Sequence, residues 1–184
     1  MPFAVWISGL PGSGKSTIAR ELVKNIPSVE YLRLDELRKN YVMNPTYSDE
    51  EREIVYSRFI EDGASRIAQG KNVIYDATAH RMLWRLSARS KIDRFIEVYV
   101  RCPIEKCIER ETARKEGLVQ AELYKKARER NRTGKQFENL GKVVGVDVPF
   151  EVNPDAEVVI DSDRTDPADG AKIVLAVLKK KGWI

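Results

Sequence analysis

The sequence predicts an α/β domain: a doubly wound, mostly parallel five-stranded sheet with helices on both faces. Three observations predict it. Five short apolar runs rich in β-branched residues alternate with longer amphipathic stretches. The spacing between the runs suits helical crossovers rather than hairpins. A glycine-rich loop leaves the first run and opens into a helical pattern.

The elements follow in chain order. Phe3–Ser8 is a buried strand ending in a glycine turn, and a helix spans Lys15–Asn25, stopped before Pro27. Val29–Leu34 is the second strand. Pro45 marks a turn over Asn44–Tyr47. Ser48 with Glu51 three residues later is a capping-box signal for a long helix that reaches Gln69 and ends at Gly70. Asn72–Asp76 is the third strand, His80–Lys91 a helix and Phe95–Arg101 the fourth strand. Pro103 suits the start of the next helix, where its missing N–H would be unpaired anyway. From Ala113 to Gly145 the chain is heavily charged and broken by Gly117, Gly134, Gly141 and Gly145, which predicts a helix over Ala121–Arg132 in a helical lid. Glu157–Asp161 is the last strand, and Asp166-Pro167 opens a helix ending near Lys181.

Composition limits the function classes. The 184 residues suit one domain, with no repeat and no low-complexity linker. No apolar run approaches the roughly 18–20 residues of a membrane helix, and the N-terminus carries no basic leader. Cys102 and Cys107 with His80 have neither disulfide-framework nor zinc spacing, so a reducing cytoplasm is expected. A net charge of +4 suits phosphate-rich small molecules as well as nucleic acid. Trp6, Trp84 and Trp183 are scattered and form no stacking platform, so nucleic acid is not the favoured partner.

Gly9-Leu-Pro11-Gly12-Ser13-Gly14-Lys15-Ser16-Thr17 matches the G-x-x-x-x-G-K-[ST] phosphate loop at every position. Glycines let the backbone turn its N–H groups inward as an anion nest, and the helix start adds the positive end of its dipole. Lys15 is expected to reach the β- and γ-phosphates of ATP, and Ser16 to offer its hydroxyl to Mg²⁺. The fold is therefore expected to be of the P-loop NTPase type.

Ligands of open α/β sheets sit beyond the carboxyl ends of the strands. Asp35 and Asp76 each end a strand. Asp35 is the first choice for the group that takes the acceptor's proton, and Asp76 for a Walker-B-like acid holding a Mg²⁺-bound water, though the roles could be exchanged. The alternative for each is a helix N-cap. Arg38 lies one helical turn after Asp35; Arg52, Arg81 and Arg85 fall near later helix starts and could bind phosphate or sulfate, or be solvated surface residues. Arg110, Arg114 and Lys115 are expected at the lid, with Lys125, Lys126, Arg128, Arg130 and Arg132 on its solvated face.

Taken together, these residues resemble the adenylylsulfate kinases along nearly the full chain. Phe95-Ile-Glu-Val-Tyr-Val100 with Cys102-Pro-Ile-Glu-Lys-Cys107 and Arg110 is similar to that family's FIEVYV-x-x-P-x-E-x-C-x-x-R segment. Leu123–Arg128, Gly145–Glu151, Asn153-Pro154 and Val158–Asp161 are similar to its LYKKAR, G-I-D-x-P-Y-E, N-P and LVIDT stretches. The resemblance implies a usually dimeric kinase that uses ATP to phosphorylate the 3′-hydroxyl of adenylyl sulfate. It also implies that Asp35 and Arg38 match the family's D-x-x-R motif, that Arg52 matches its F-S-x-x-D-R arginine, and that Thr78, His80, Arg81, Lys142 and Val143 fall at acceptor contacts. Three places depart from the pattern: Val55 replaces an asparagine, Val143 an aromatic residue, and Ala77-Thr-Ala-His-Arg81 stands for I-S-P-Y-R. With Asp76, that last stretch is closer to P-loop kinases acting on polynucleotide ends, aminoacyl-tRNA or small hydroxylated metabolites. A guanine-reading N-K-x-D is absent, which argues against a switch-type nucleotide-binding module.

Overall fold

Five strands, β1 (Ala4–Ser8), β2 (Val29–Arg33), β3 (Asn72–Asp76), β4 (Phe95–Arg101) and β5 (Val158–Asp161), pair in the order β2-β3-β1-β4-β5. Every pairing is parallel. The computed structural model describes residues 1–113, 122–138 and 140–184. Arg114, Lys115 and Gly117, assigned above to the lid, lie outside the described residues.

The central position of β1 explains its composition. All five of its residues are buried, because a parallel strand flanked by strands and covered by helices meets no water on either face. Alternate side chains point to opposite faces. Phe3, Val5 and Ile7 pack with Ile18 and Leu22 of α1 (Lys15–Asn25) and with Val174 and Leu178 of a terminal helix over Pro167–Lys180. Ala4 and Trp6 face the other way. They meet Tyr56, Phe59 and Ile60, on a helix over Asp49–Ala68, and Trp84 and Ala88, on one over Met82–Lys91. Trp6 stacks on Tyr75 with centroids 4.8 Å apart. Full burial of such a side chain contributes roughly 1.5–3 kcal/mol.

Besides α1, the helices are α2 (Leu34–Tyr41), α3 (Asp49–Ala68), α4 (Met82–Lys91), α5 (Ile104–Thr112), α6 (Leu123–Thr133) and α7 (Pro167–Lys180). Because α1 follows β1 onto one face while α4 follows β3 onto the other, the loops leaving these neighbouring strands diverge. They leave a crevice at the strands' carboxyl ends. Ile7 pairs with Asp76 in this register, so the acid ending β3 stands beside the chain entering the glycine loop.

A third, smaller cluster joins α5 to α6 through Cys107, Tyr124, Ala127, Leu140 and Val143. The Tyr124 hydroxyl donates to Pro11 O at 2.8 Å and ties the cluster to the glycine loop. Arg130, expected on a solvated face, instead pairs with Asp147 at 2.5 Å and donates to Leu140 O at 2.6 Å. Lys125, Arg128 and Arg132 are exposed. No helix among the described residues is long and apolar enough to cross a membrane.

Several boundaries differ from the sequence expectation. α4 starts at Met82 rather than His80, because tertiary hydrogen bonds hold the 79–81 stretch out of helical geometry. The last strand starts at Val158; the carboxylate of Glu157 is occupied by both Arg89 terminal nitrogens at 2.7 Å and by the Glu97 N–H at 2.8 Å. β2 ends at Arg33, and the chain enters α2 without a loop.

Candidate active site

The glycine loop has the backbone that phosphate binding needs. Gly9, Gly12 and Gly14 have φ of 147°, 79° and 94°, values that L side chains rarely adopt. At Gly12 space matters as well, since a Cβ would run into Cys107 O under the loop. The N–H groups of Lys15 and Ser16 open α1 with no preceding helical carbonyl to reach, while those of Thr17 and Ile18 already donate to Gly14 O. Lys15 Nζ lies 3.4 Å from Leu10 O, folded over the loop. Below it, Ser13 O accepts from Ser162 Oγ at 2.7 Å and from Arg110 Nη1 at 3.3 Å. Arg110 also donates to Ser162 O at 2.7 Å, so it underpins the loop from β5's exit.

The two acids differ in environment. Asp35 sits exposed in the first turn of α2, where its charge suits the helix dipole. The N-cap position belongs to Arg33, so the capping alternative for Asp35 does not hold. Burial raises the Tyr47 phenol, and the Arg38 guanidinium, 4.5 Å from the ring centroid, opposes the shift. Asp76 is buried, accepts from Tyr31 at 2.8 Å and lies 4.0 Å from Arg33 Nε. It caps no helix; the residue before α4 is Arg81.

On the acceptor side a cleft of about 260 Å³ opens between α3, the start of α4 and the segment leading to Glu151. Arg52, Glu53, His80, Arg81, Trp84 and Glu151 line it. Of the sequence candidates, Arg52, His80 and Arg81 are therefore brought together. Arg52 is mostly buried and donates to Lys142 O, while Lys142 Nζ reaches Asp49 at 2.5 Å. Arg81 pairs with Glu53, and its guanidinium lies 5.7 Å from the Trp84 ring centroid. Burial, together with the neighbouring Arg52 charge, pulls the His80 imidazole down to about 4. Thr78 is half-buried between Asp76 and His80.

Other candidates go elsewhere. Val143 packs among Leu140 and Tyr124 while its N–H and C=O build a turn with Asp147. Val55 is fully buried against the sheet. Arg85, grouped above with the cleft arginines or the solvated ones, is neither: it is fully buried and pairs with Glu97 at 2.7 Å. Its position in α4 puts it on the face that packs inward, which periodicity alone assigns to an apolar residue.

Some residues of the site were not singled out from sequence for what they do. Glu51 is the hub of the turn before α3. Its N–H donates to Ser48 Oγ at 3.2 Å, as the capping signal predicts. Its carboxylate, instead of closing the box on Ser48 N, accepts from Thr46, from Tyr47 N at 2.9 Å and from Arg38 at 2.5 Å. Burial alone would raise the Glu51 carboxyl, yet these bonds hold it below the usual range. Tyr31 and Ser162 carry no sequence signal of their own; their partners are 45 and 149 residues away.

The profile of the adenylylsulphate kinase family matches residues 1–161. The probable adenylyl-sulfate kinase of Archaeoglobus fulgidus is 33% identical over 171 residues, spanning 90% of this chain and 99% of that protein. The Mycobacterium tuberculosis APS kinase CysC, solved in complex with AMPPNP and APS, has a similar fold, with a TM-score of 0.77 at 23% identity over 97% of this chain and 98% of that one. A sugar kinase from Janibacter sp. HTCC2649 shares the fold at a TM-score of 0.70 and 20% identity, covering 97% and 95%. With the phosphate loop, the parallel sheet and a family profile spanning most of its length, the chain belongs to the adenylylsulphate kinase family.

Proposed function

We propose that this chain transfers the γ-phosphoryl group of ATP to the 3′-hydroxyl of adenylyl sulfate, giving 3′-phosphoadenylyl sulfate and ADP. The observation that carries the reading is the crevice itself. The phosphate loop with Lys15 follows β1, Asp35 and Arg38 follow β2 on α2, and Arg52, His80 and Arg81 line the cleft between α3 and the start of α4. The loop N–H groups and Lys15 would hold the β- and γ-phosphates. Asp35, exposed at the crevice, would orient the acceptor hydroxyl and take its proton as the new P–O bond forms and the bond to the β-phosphate oxygen breaks.

Ser16 and Asp76 fit a Mg²⁺ site in donor type: an alcohol at the helix start and a buried carboxylate, and the Tyr31 hydroxyl bonds that carboxylate and lies 3.5 Å from the Ser16 carbonyl oxygen. When bound, the ion supplies charge neutralisation between the β- and γ-phosphates. Arg38 and Arg52 would meet the anionic end of the acceptor, helped by their burial, since charge-assisted bonds strengthen away from water. The segment over residues 113–145 acts in this reading as a lid that keeps water from the γ-phosphate. A single kinase domain over 1–184, a homodimer and a cytoplasmic setting belong to the same reading.

One observation favours a second acceptor class. Asp49, Glu53 and Glu151 all line the cleft, and carboxylates suit hydroxyls better than a sulfate. ADP release from Mg-ATP decides between the two. Stimulation by adenylyl sulfate above a no-acceptor blank supports the first reading; stimulation only by polyols or an RNA 5′-hydroxyl end overturns it.

A further inference from the structure

Arg85 takes no part in the transfer described above, yet its side chain is completely buried beside Glu97, which is 1% exposed. Such an ion pair adds little net stability, because desolvating both ions offsets their attraction. Its geometry is more informative. The three guanidinium nitrogens face three different parts of the chain. Nε meets Glu97 on β4 at 2.7 Å, Nη1 donates to Ala79 O and Nη2 donates to Glu151 O. The Phe150 ring lies 5.0 Å from the guanidinium carbon and stacks in turn on Tyr99 of β4, 5.2 Å between centroids. Glu97 is fixed as well, accepting from Asn153 Nδ2 at 2.7 Å and from Ser8 Oγ at 3.3 Å.

Of the two residues whose carbonyls Arg85 holds, Glu151 lines the cleft and Ala79 directly precedes His80, which lines it too. Ala79 has φ 43°, a left-handed backbone that a non-glycine residue keeps only where its surroundings impose it. Here they do. The Ala79 N–H donates to Tyr56 OH at 2.8 Å, and its carbonyl is held by Arg85. The next residue accepts at its carbonyl from Glu151 N at 2.8 Å, and Glu151 Oε2 accepts from Met82 N at 2.7 Å. The His80 and Glu151 backbones are thus bonded to each other, and the guanidinium holds Glu151 directly and His80 through the Ala79 carbonyl before it.

We infer that Arg85 is a positioning residue: anchored on Glu97, it holds the Ala79 and Glu151 carbonyls so that His80 and Glu151 face the acceptor at fixed separation. Acceptor recognition then depends on a side chain that does not line the cleft. This rests on reading the cleft as the acceptor site. Lysine cannot replace arginine here, because one ammonium cannot reproduce the planar fork that donates to both carbonyls while it pairs with Glu97. It can still pair with Glu97, so Arg85→Lys keeps the buried charge pair and removes only the clamp.

The test compares Arg85→Lys with wild type in steady-state kinetics and in an NMR titration of His80, the chain's one histidine. The groups facing that imidazole are Arg52, Arg81, Asp49 and Glu151. The expected result is an acceptor KM raised about tenfold or more, towards the roughly 10²-fold that a 1 Å misplacement costs. The KM for ATP stays within about twofold, and the His80 titration moves up towards the ordinary imidazole value. Should Arg85→Lys not fold, Phe150→Leu removes the aromatic face and is expected to give the same pattern more weakly. An unchanged acceptor KM with an unchanged His80 titration overturns the proposal. A wild-type enzyme that ignores adenylyl sulfate overturns the functional reading instead, and the His80 titration then decides on Arg85 alone.

Discussion

The Tyr31 hydroxyl donates to Asp76 Oδ2 at 2.8 Å and lies 3.5 Å from the carbonyl oxygen of Ser16. One phenol on the edge strand β2 thereby links the acid ending β3 to the start of α1. Burial and the Asp76 carboxylate both push that phenol's titration up, so it remains a donor across the working pH range. Asp76 is held in one orientation by this bond.

If Asp76 holds a Mg²⁺-bound water, Asp76→Asn raises the Mg²⁺ concentration needed for half-maximal activity by roughly tenfold or more. Tyr31→Phe, which frees the carboxylate without removing it, shifts it less. Binding of a fluorescent ATP analogue as Mg²⁺ is titrated gives the same order without turnover. Equal Mg²⁺ midpoints in all three proteins would make Asp76 a structural acid.

Lys15→Ala is expected to remove turnover, because the γ-phosphate loses the cation folded over the loop. The substitution leaves the core untouched, so the melting temperature without nucleotide stays close to wild type. Near-normal ADP release would overturn the assignment of the ATP site.

Asp35→Asn tests the base. As an exposed residue on α2 it can be changed with little effect on folding. A kcat lowered by roughly 10²–10⁴ identifies proton acceptance. A loss confined to acceptor KM makes Asp35 a binding residue, and the base must then be sought at Asp76.

His80 gives a pH prediction with a definite sign. Its ordinary value is 6.5 and its value in the fold about 4, so the unfolded chain binds the extra proton first. Stability from this group is fully present above about pH 6.5, declines as pH falls and levels off below about 4. A melting curve measured from pH 7 to 4 should fall less steeply for His80→Asn than for wild type. Acceptor KM should not change between pH 6 and 8 on account of this residue, since it stays neutral throughout.

The order of strands and helices, the phosphate loop and the capping signal at Ser48 were all legible in the sequence. Each is set by residues close together in the chain: period-two and period-3.6 apolar patterns, three glycines beside one lysine, a serine three residues before a glutamate. What the sequence could not show is where long side chains end. Arg52 and Arg81 came to the cleft while Arg85, in the same residue class, went into the interior, because Glu97, 12 residues along on β4, awaits it there as a buried partner. Val55 and Val143 looked like acceptor contacts by alignment with a motif, and the fold turned both into packing residues. Local patterns fix the secondary structure and the loop chemistry, since those interactions span only a few residues. Tertiary structure decides which charges are buried together, because that depends on partners brought up by the parallel sheet from distant parts of the chain.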